Sequence, residues 1–214
     1  MSALLPEVTV YTRQRIAEFD RISAPRKKEI RQLAAFVEQR RREKQPAELI
    51  FICTHNSRRS HLSQIWAQTA ANYYDISDVN TYSGGTEATA FNPRAVAAVQ
   101  KVGFEIEKTG ENNNPVYRVR FAIDAQPLEC FSKKYDDPFN PKENFCAIMT
   151  CSDADEACPI VFGAAERITI RYDDPKAFDD TEQETEKYDE RCRQIAREML
   201  YAFSQITVPK TKKE

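Results

Sequence analysis

Residues 48–60 read ELIFICTHNSRRS, an apolar run that ends in Cys53 and is followed, after five further residues, by Arg59 and Ser60. Residues of these types at this spacing can hold and attack a tetrahedral oxyanion. A cysteine that leaves a strand, a short loop and the start of a helix let successive backbone N–H groups face one anion, and the positive end of the helix adds its field. Arg59 supplies a planar fork of donors for two oxygens at once, which Lys would do poorly. Ser60 can donate a hydrogen bond to the sulfur and stabilise the thiolate. Asn56 tolerates left-handed backbone angles, as a tight loop requires. Thr54, His55, Asn56, Ser57, Arg58 and Ser60 are thus the candidate oxyanion loop around the candidate nucleophile Cys53. Cys, five residues and Arg arises easily by chance; its place between a strand signal and a helix signal makes it specific.

Residues 149–160, MTCSDADEACPI, hold Cys151 at the end of a second apolar run, FCAIMTC, with Cys158 beyond it. Cys53 and Cys151 would then share the carboxyl edge of a parallel sheet, where open α/β folds bind ligands. On adjacent strands, about 4.8 Å apart, they would meet the Cα separation of roughly 4.4 to 6.8 Å that a disulfide needs. Cys151 and Cys158 differ. Seven helical steps span about 10.5 Å, so that pair closes only through a loop or an unwound helix. A carboxyl group beside the thiolate could protonate a departing oxygen and later activate water. The letters YDDP occur twice, at 135–138 and at 172–175, and each offers an Asp before Pro.

Together these residues resemble the low-molecular-weight protein tyrosine phosphatases and their relatives, the thioredoxin-coupled arsenate reductases. CTHNSRRS is similar to the family loop, with His55 where a Gly is usual and Arg58 where a second Cys is frequent. The 149–160 stretch is similar to the reductase redox segment, including Ser152, Asp153, Ala154, Asp155, Pro159 and Ile160 between and after the cysteines. The resemblance implies Cys53 as nucleophile, Cys151 and Cys158 as resolving cysteines, and Asp174 as general acid, with Asp173 bracing its loop. Arg58 is expected to add positive charge that favours anions. The implied activity is reduction of arsenate to arsenite through a thiolate adduct and a disulfide cascade, with thioredoxin or another thiol donor as external reductant and no bound cofactor. Two alternatives stay open: a phosphatase hydrolysing phosphotyrosine or another phosphomonoester, and a non-catalytic oxyanion-binding or signalling module. Ser83 and Asn56 resemble potassium-binding positions of some arsenate reductases, but Gln64 stands where a glutamate is expected, and no metal site is assigned.

These residues must be positioned by an α/β scaffold. Strands at 48–53, about 78–84, 145–151 and 167–172 alternate with helices at about 60–74, 92–102 and 182–206, which implies a doubly wound parallel sheet with helices on both faces. The resemblance supplies the strand order 2-1-3-4. The pattern from Glu7 to Lys44 is helical, with Ile30, Leu33, Phe36 and Val37 on one stripe and Pro25 starting the second helix. We therefore divide the chain into an N-terminal helical extension (1–45), a catalytic domain (46–208) with an insertion at about 109–144, and a polar tail (209–214). In the insertion, Val116 to Phe121 alternate as an added strand or hairpin. Cys146 and Cys192 read as core; Cys130 is unassigned.

The 214 residues are 41% hydrophobic, enough for a full core. A net charge of −2 provides no general attraction to nucleic acid or anionic membrane. No signal peptide or membrane span is visible. Six cysteines without a secretory signal read as reduced thiols in the cytoplasm.

Overall fold

The computed structural model describes residues 2–158 and 160–207; Pro159 and the expected polar tail lie outside the described residues. A four-stranded parallel sheet in the order β2-β1-β6-β7 forms the centre. Its strands are β1 (Ala47–Cys53), β2 (Val79–Gly85), β6 (Phe145–Met149) and β7 (Ala164–Thr169). The order matches the 2-1-3-4 expectation. AELIFIC and FCAIM are almost wholly buried, as strands covered on both faces must be. β1 pairs with β2 on one side and β6 on the other, so Cys53 leaves the middle of the sheet.

The last strand differs from the reading of the sequence. β7 begins at Ala164, opposite Phe145, three residues before the apolar alternation of RITIRY suggests. The pairing still runs on: Ile170 and Tyr172 donate their N–H groups to Met149 and Thr150 carbonyls at 3.0 Å each. That extension carries the backbone to Asp174.

α3 (Arg59–Tyr73) and α6 (Glu184–Ser204) pack closely on each other, beside α4 (Pro93–Lys101). The N-terminal helices α1 (Pro6–Ile16) and α2 (Ala24–Arg42) also pack against α6, and α2 reaches β1 and β7. Ser23 caps α2 and Pro25 occupies its first turn, as the sequence suggests. Ile30, Leu33, Phe36 and Val37 are buried in the same apolar core as Leu49, Phe51, Ile148 and the inner face of α6. The extension is therefore built into the core of the fold. The opposite face of the sheet is smaller: Ile50, Ile52, Cys53, Met149, Cys151 and Val161 pack with Ala154 of α5 (Ser152–Ala157) and with Tyr82 and Tyr135.

The inserted stretch pairs with the strand that precedes it to form an antiparallel sheet in the order β3-β4-β5. The alternation at 116–121 is β4 (Val116–Arg120), with Tyr117 and Val119 facing inward. β3 (Glu105–Thr109) and β5 (Leu128–Cys130) flank it. β3 was not legible in the sequence, because EIEKT is mostly exposed and lacks an apolar face.

Candidate active site

The loop from Cys53 to Arg59 lies at the carboxyl edge of the sheet and is gripped from outside. Cys53 O accepts from Thr86 N at 3.2 Å, and Thr54 O accepts from Glu87 N at 2.8 Å and from Thr86 Oγ1 at 3.1 Å. His55 O accepts from Ser132 Oγ at 2.9 Å and Thr89 Oγ1 at 3.2 Å; Ser57 O accepts from Asn92 N at 2.9 Å. A trans peptide points its N–H opposite its C=O, so the amides in these planes turn toward the loop interior. Arg58, at the N-cap of α3, provides no side-chain cap, and the orphan amides of the first turn remain available to an anion. Gly85 allows this closeness. A Cβ there would lie 2.7 Å from both Asn56 N and Thr54 O.

Cys53 is 3% exposed, and its Sγ lies 3.1 Å from Ser60 Oγ. Asn56 has the expected left-handed backbone, with φ of 44°, and donates from Nδ2 to Ser60 Oγ at 2.9 Å. Its Oδ1 accepts from Lys133 N at 2.9 Å. Arg59 is buried; its Nη1 donates to Tyr172 O at 3.0 Å and its Nη2 to Asp174 Oδ2 at 2.7 Å. Arg59 Nε has no partner among the described residues, which leaves a buried donor for an incoming oxygen.

Asp174 is thus bonded to the loop arginine, whereas in the 135–138 copy Tyr135 packs near Cys53 and Cys151 but Asp137 accepts from Phe139 N in a turn of the segment after β5. The bracing role foreseen for Asp173 belongs to Asp174, whose Oδ1 accepts from Lys176 N at 3.1 Å. The Asp173 side chain is 97% exposed and, among the described residues, pairs with Arg191. Arg58 corrects a second expectation. Its Nε donates to Tyr188 Oη at 2.8 Å, and its guanidinium lies 3.5 Å from Asp179 and 3.9 Å from Asp174. Its charge is matched by Asp179 and Asp174, and its bond to Tyr188 of α6 braces the loop. Ser57 Oγ donates to Ala90 O at 2.7 Å, and His55 stands on the rim, 3.5 Å from Glu87.

Cys151 caps α5. Its buried Sγ lies 3.5 Å from Thr54 Oγ1 and accepts from Ala154 N at 3.4 Å. The residue after the candidate nucleophile therefore touches the first candidate resolving thiol. Cys158 stands at the far end of α5, half-buried, so the six-residue helix must unwind before these two sulfurs can meet. All six cysteines are free thiols. Burial pushes Cys130 and Cys192 up to about 12 and Cys146 well above its ordinary range, so these three are suited to packing and unsuited to attack.

Sequence reasoning missed Ser132, Lys133, Thr86 and Thr89, which position the loop through polar atoms on segments with no periodic signal. It also missed the clamp on α5. Asp155 pairs with Arg167 and Arg171 and accepts from Thr169 Oγ1 at 3.0 Å, while Arg167 Nε donates to Cys158 O at 3.1 Å. At the positions that resemble a potassium site, Asn56 Oδ1 accepts from Lys133 N, Ser83 Oγ bonds His61 Nδ1 at 3.1 Å, and the uncharged Gln64 has a buried Oε1 without a partner among the described residues. Burial holds His61 neutral, its pKa lowered well below the usual range.

No protein-family model matches the chain. It is similar to arsenate reductase 2 of Staphylococcus epidermidis, 29% identical over 127 residues, which is 59% of this chain and 77% of that protein. An arsenate reductase of Bacillus licheniformis is 28% identical over 159 residues, 73% of this chain and 94% of that protein. A solved low-molecular-weight protein tyrosine phosphatase from T. tengcongensis shares the fold at a TM-score of 0.51 and 14% identity, covering 75% of this chain and 99% of that one.

Proposed function

We propose that this chain belongs to the low-molecular-weight protein tyrosine phosphatase superfamily, whose fold it shares, and that it reduces arsenate to arsenite, as the names of its arsenate reductase relatives suggest. The observation that carries the reading is the contact between Thr54, next to Cys53, and the buried thiol of Cys151. Arsenate and phosphate share shape and charge, so a loop that binds one binds the other. What separates the two chemistries is a second thiol within reach of the first adduct. A phosphocysteine is resolved by water, whereas an arsenocysteine can be resolved by attack at sulfur.

Cys53 thiolate attacks arsenate held by the loop amides and Arg59, and Asp174 gives a proton to the departing oxygen, leaving a Cys53–arsenic bond. Cys151 thiolate then attacks Cys53 Sγ. The S–As pair of electrons leaves with arsenic, which departs as arsenite, and a Cys53–Cys151 disulfide forms. Cys158 attacks Cys151 Sγ, releasing Cys53 thiolate and forming Cys151–Cys158 as α5 unwinds. Thioredoxin, or another dithiol donor, takes up that disulfide by exchange.

The test is NADPH consumption by the reduced protein with thioredoxin, thioredoxin reductase and arsenate, with Cys151→Ser in parallel. Arsenate-dependent turnover that disappears in Cys151→Ser supports the reductase. Absent turnover, together with multiple-turnover hydrolysis of an aryl phosphate, assigns the phosphatase instead. Cys53→Ser should lose both activities; if both persist, another residue is the nucleophile.

A further inference from the structure

We infer that Arg26, on the N-terminal helix α2, is a positioning residue for the Arg59–Asp174 pair, so that the N-terminal extension completes the active site; this rests on the proposed roles of Arg59 and Asp174. Arg26 holds the segment that delivers them. Its Nη2 donates to Arg171 O at 2.9 Å, and its guanidinium lies 5.0 Å from the centre of the Tyr172 ring. The same group is anchored from behind by the buried Glu198 of α6, through Nε at 3.0 Å and Nη2 at 2.8 Å. Its Nη1 donates to Glu29 at 2.8 Å.

The consequence appears on the other side of the same backbone. Tyr172, whose ring carries Arg26, turns its carbonyl to Arg59 Nη1, and Asp174, two residues further, receives Arg59 Nη2. Arg59 therefore takes both of its protein acceptors from a stretch fixed by Arg26. Past Ile170 the segment has left the buried sheet: Tyr172 N reaches Thr150 O, but Arg171 and Asp173 are exposed on either side of it. One planar group bonding a carbonyl, stacking on a ring and pairing with a buried carboxylate uses the geometry of arginine; an ammonium cannot do all three.

Removing Arg26 alone would strand Glu198 in the core. The informative variants are therefore Arg26→Met/Glu198→Met, which removes the buried pair together, and Arg26→Lys, which keeps the charge. Two measurements apply to the full chain. In hydrogen exchange, peptides covering 171–178 should exchange at least about tenfold faster in both variants, while those of β1 and α3 hold their rates. In aryl phosphate hydrolysis, kcat/KM for phenyl phosphate should fall at least about tenfold more than for 2,4-dinitrophenyl phosphate, because only the poor leaving group needs a well-placed proton donor. Unchanged exchange at 171–178 in Arg26→Lys overturns the inference whatever the kinetics. An equal fall for both esters also overturns it, provided Asp174→Asn separates them. If Asp174→Asn does not separate them, the reading of Asp174 as acid fails, and exchange alone decides the role of Arg26.

Discussion

At the scale of the residue, hydrogen-bond direction decides what Ser60 does. Lys133 N–H can only donate, so Asn56 must present Oδ1 to it and Nδ2 to Ser60. Ser60 Oγ then accepts from Asn56 and keeps its own proton free for Cys53 Sγ, 3.1 Å away, to which, as a thiolate, it can only donate. A hydrogen bond to a charged acceptor contributes about 1.5 kcal/mol or more. Ser60→Ala should therefore move the midpoint of the pH–rate profile for iodoacetamide alkylation of Cys53 upward by about one pH unit, measured on the Cys53 peptide by mass. An unmoved midpoint would remove Ser60 from thiolate stabilisation. Lys133 itself is buried, its ammonium 4.3 Å from the Phe131 ring centre, and burial lowers its pKa to about 8. Its ordinary value is 10.5. The folded state thus binds fewer protons at Lys133 than the unfolded chain between these values, and this group's contribution to stability rises with pH there. Lys133→Met should be stabilising below pH 8, with a gain that fades by about pH 10. Urea titrations of both proteins across that range measure it; a gain independent of pH would contradict the sign.

At the scale of the element, α5 is a short helix with one buried apolar residue, Ala154, and so has little packing to hold it. Asp155 supplies the restraint. Burial opposes ionisation of its carboxyl, but Arg171, Thr169 and Arg167 outweigh burial and keep its pKa below the usual carboxylate range. Because Arg167 also holds the carbonyl of Cys158, the clamp opposes the unwinding that Cys151–Cys158 pairing needs. Asp155→Ala should raise the alkylation rate of Cys158 several-fold and speed closure of the Cys151–Cys158 disulfide in single-turnover chemical quench. Slower closure would mean that α5 must be ordered, not released, for the exchange. The helix was hard to read from sequence because SDADEA has too few apolar residues to show a period. Of the cysteines at its ends, Cys151 was legible from its place after an apolar run, Cys158 only through the family resemblance.

At the scale of the whole molecule, α1 and α2 are part of one core. Val8, Ile30, Leu33, Phe36 and Val37 are all buried. At roughly 1.5 to 3 kcal/mol per fully buried side chain, they contribute about as much as the 5–15 kcal/mol net stability of a typical domain. A chain starting at Gln45 should lose its cooperative thermal transition by near-UV circular dichroism; a sharp transition would show that the 46–208 portion folds alone. Among the described residues no helix is long and apolar enough to cross a membrane. The sequence by itself determined the alternation of strands and helices, the stripe of α2, the Cys53 loop and its left-handed Asn56. Each follows from local signals: periodicity, capping residues and the conformational range of a few side chains. It could not choose between the two YDDP copies without a family resemblance, nor foresee that Arg58 turns to Tyr188, that Lys133 orients Asn56, or that Arg26 supports the Asp174 segment. Those contacts join residues as far apart as 172 positions, Arg26 and Glu198, through polar atoms that have no period along the chain. Only tertiary packing brings such donors and acceptors together, and their partners are set by where the core places them.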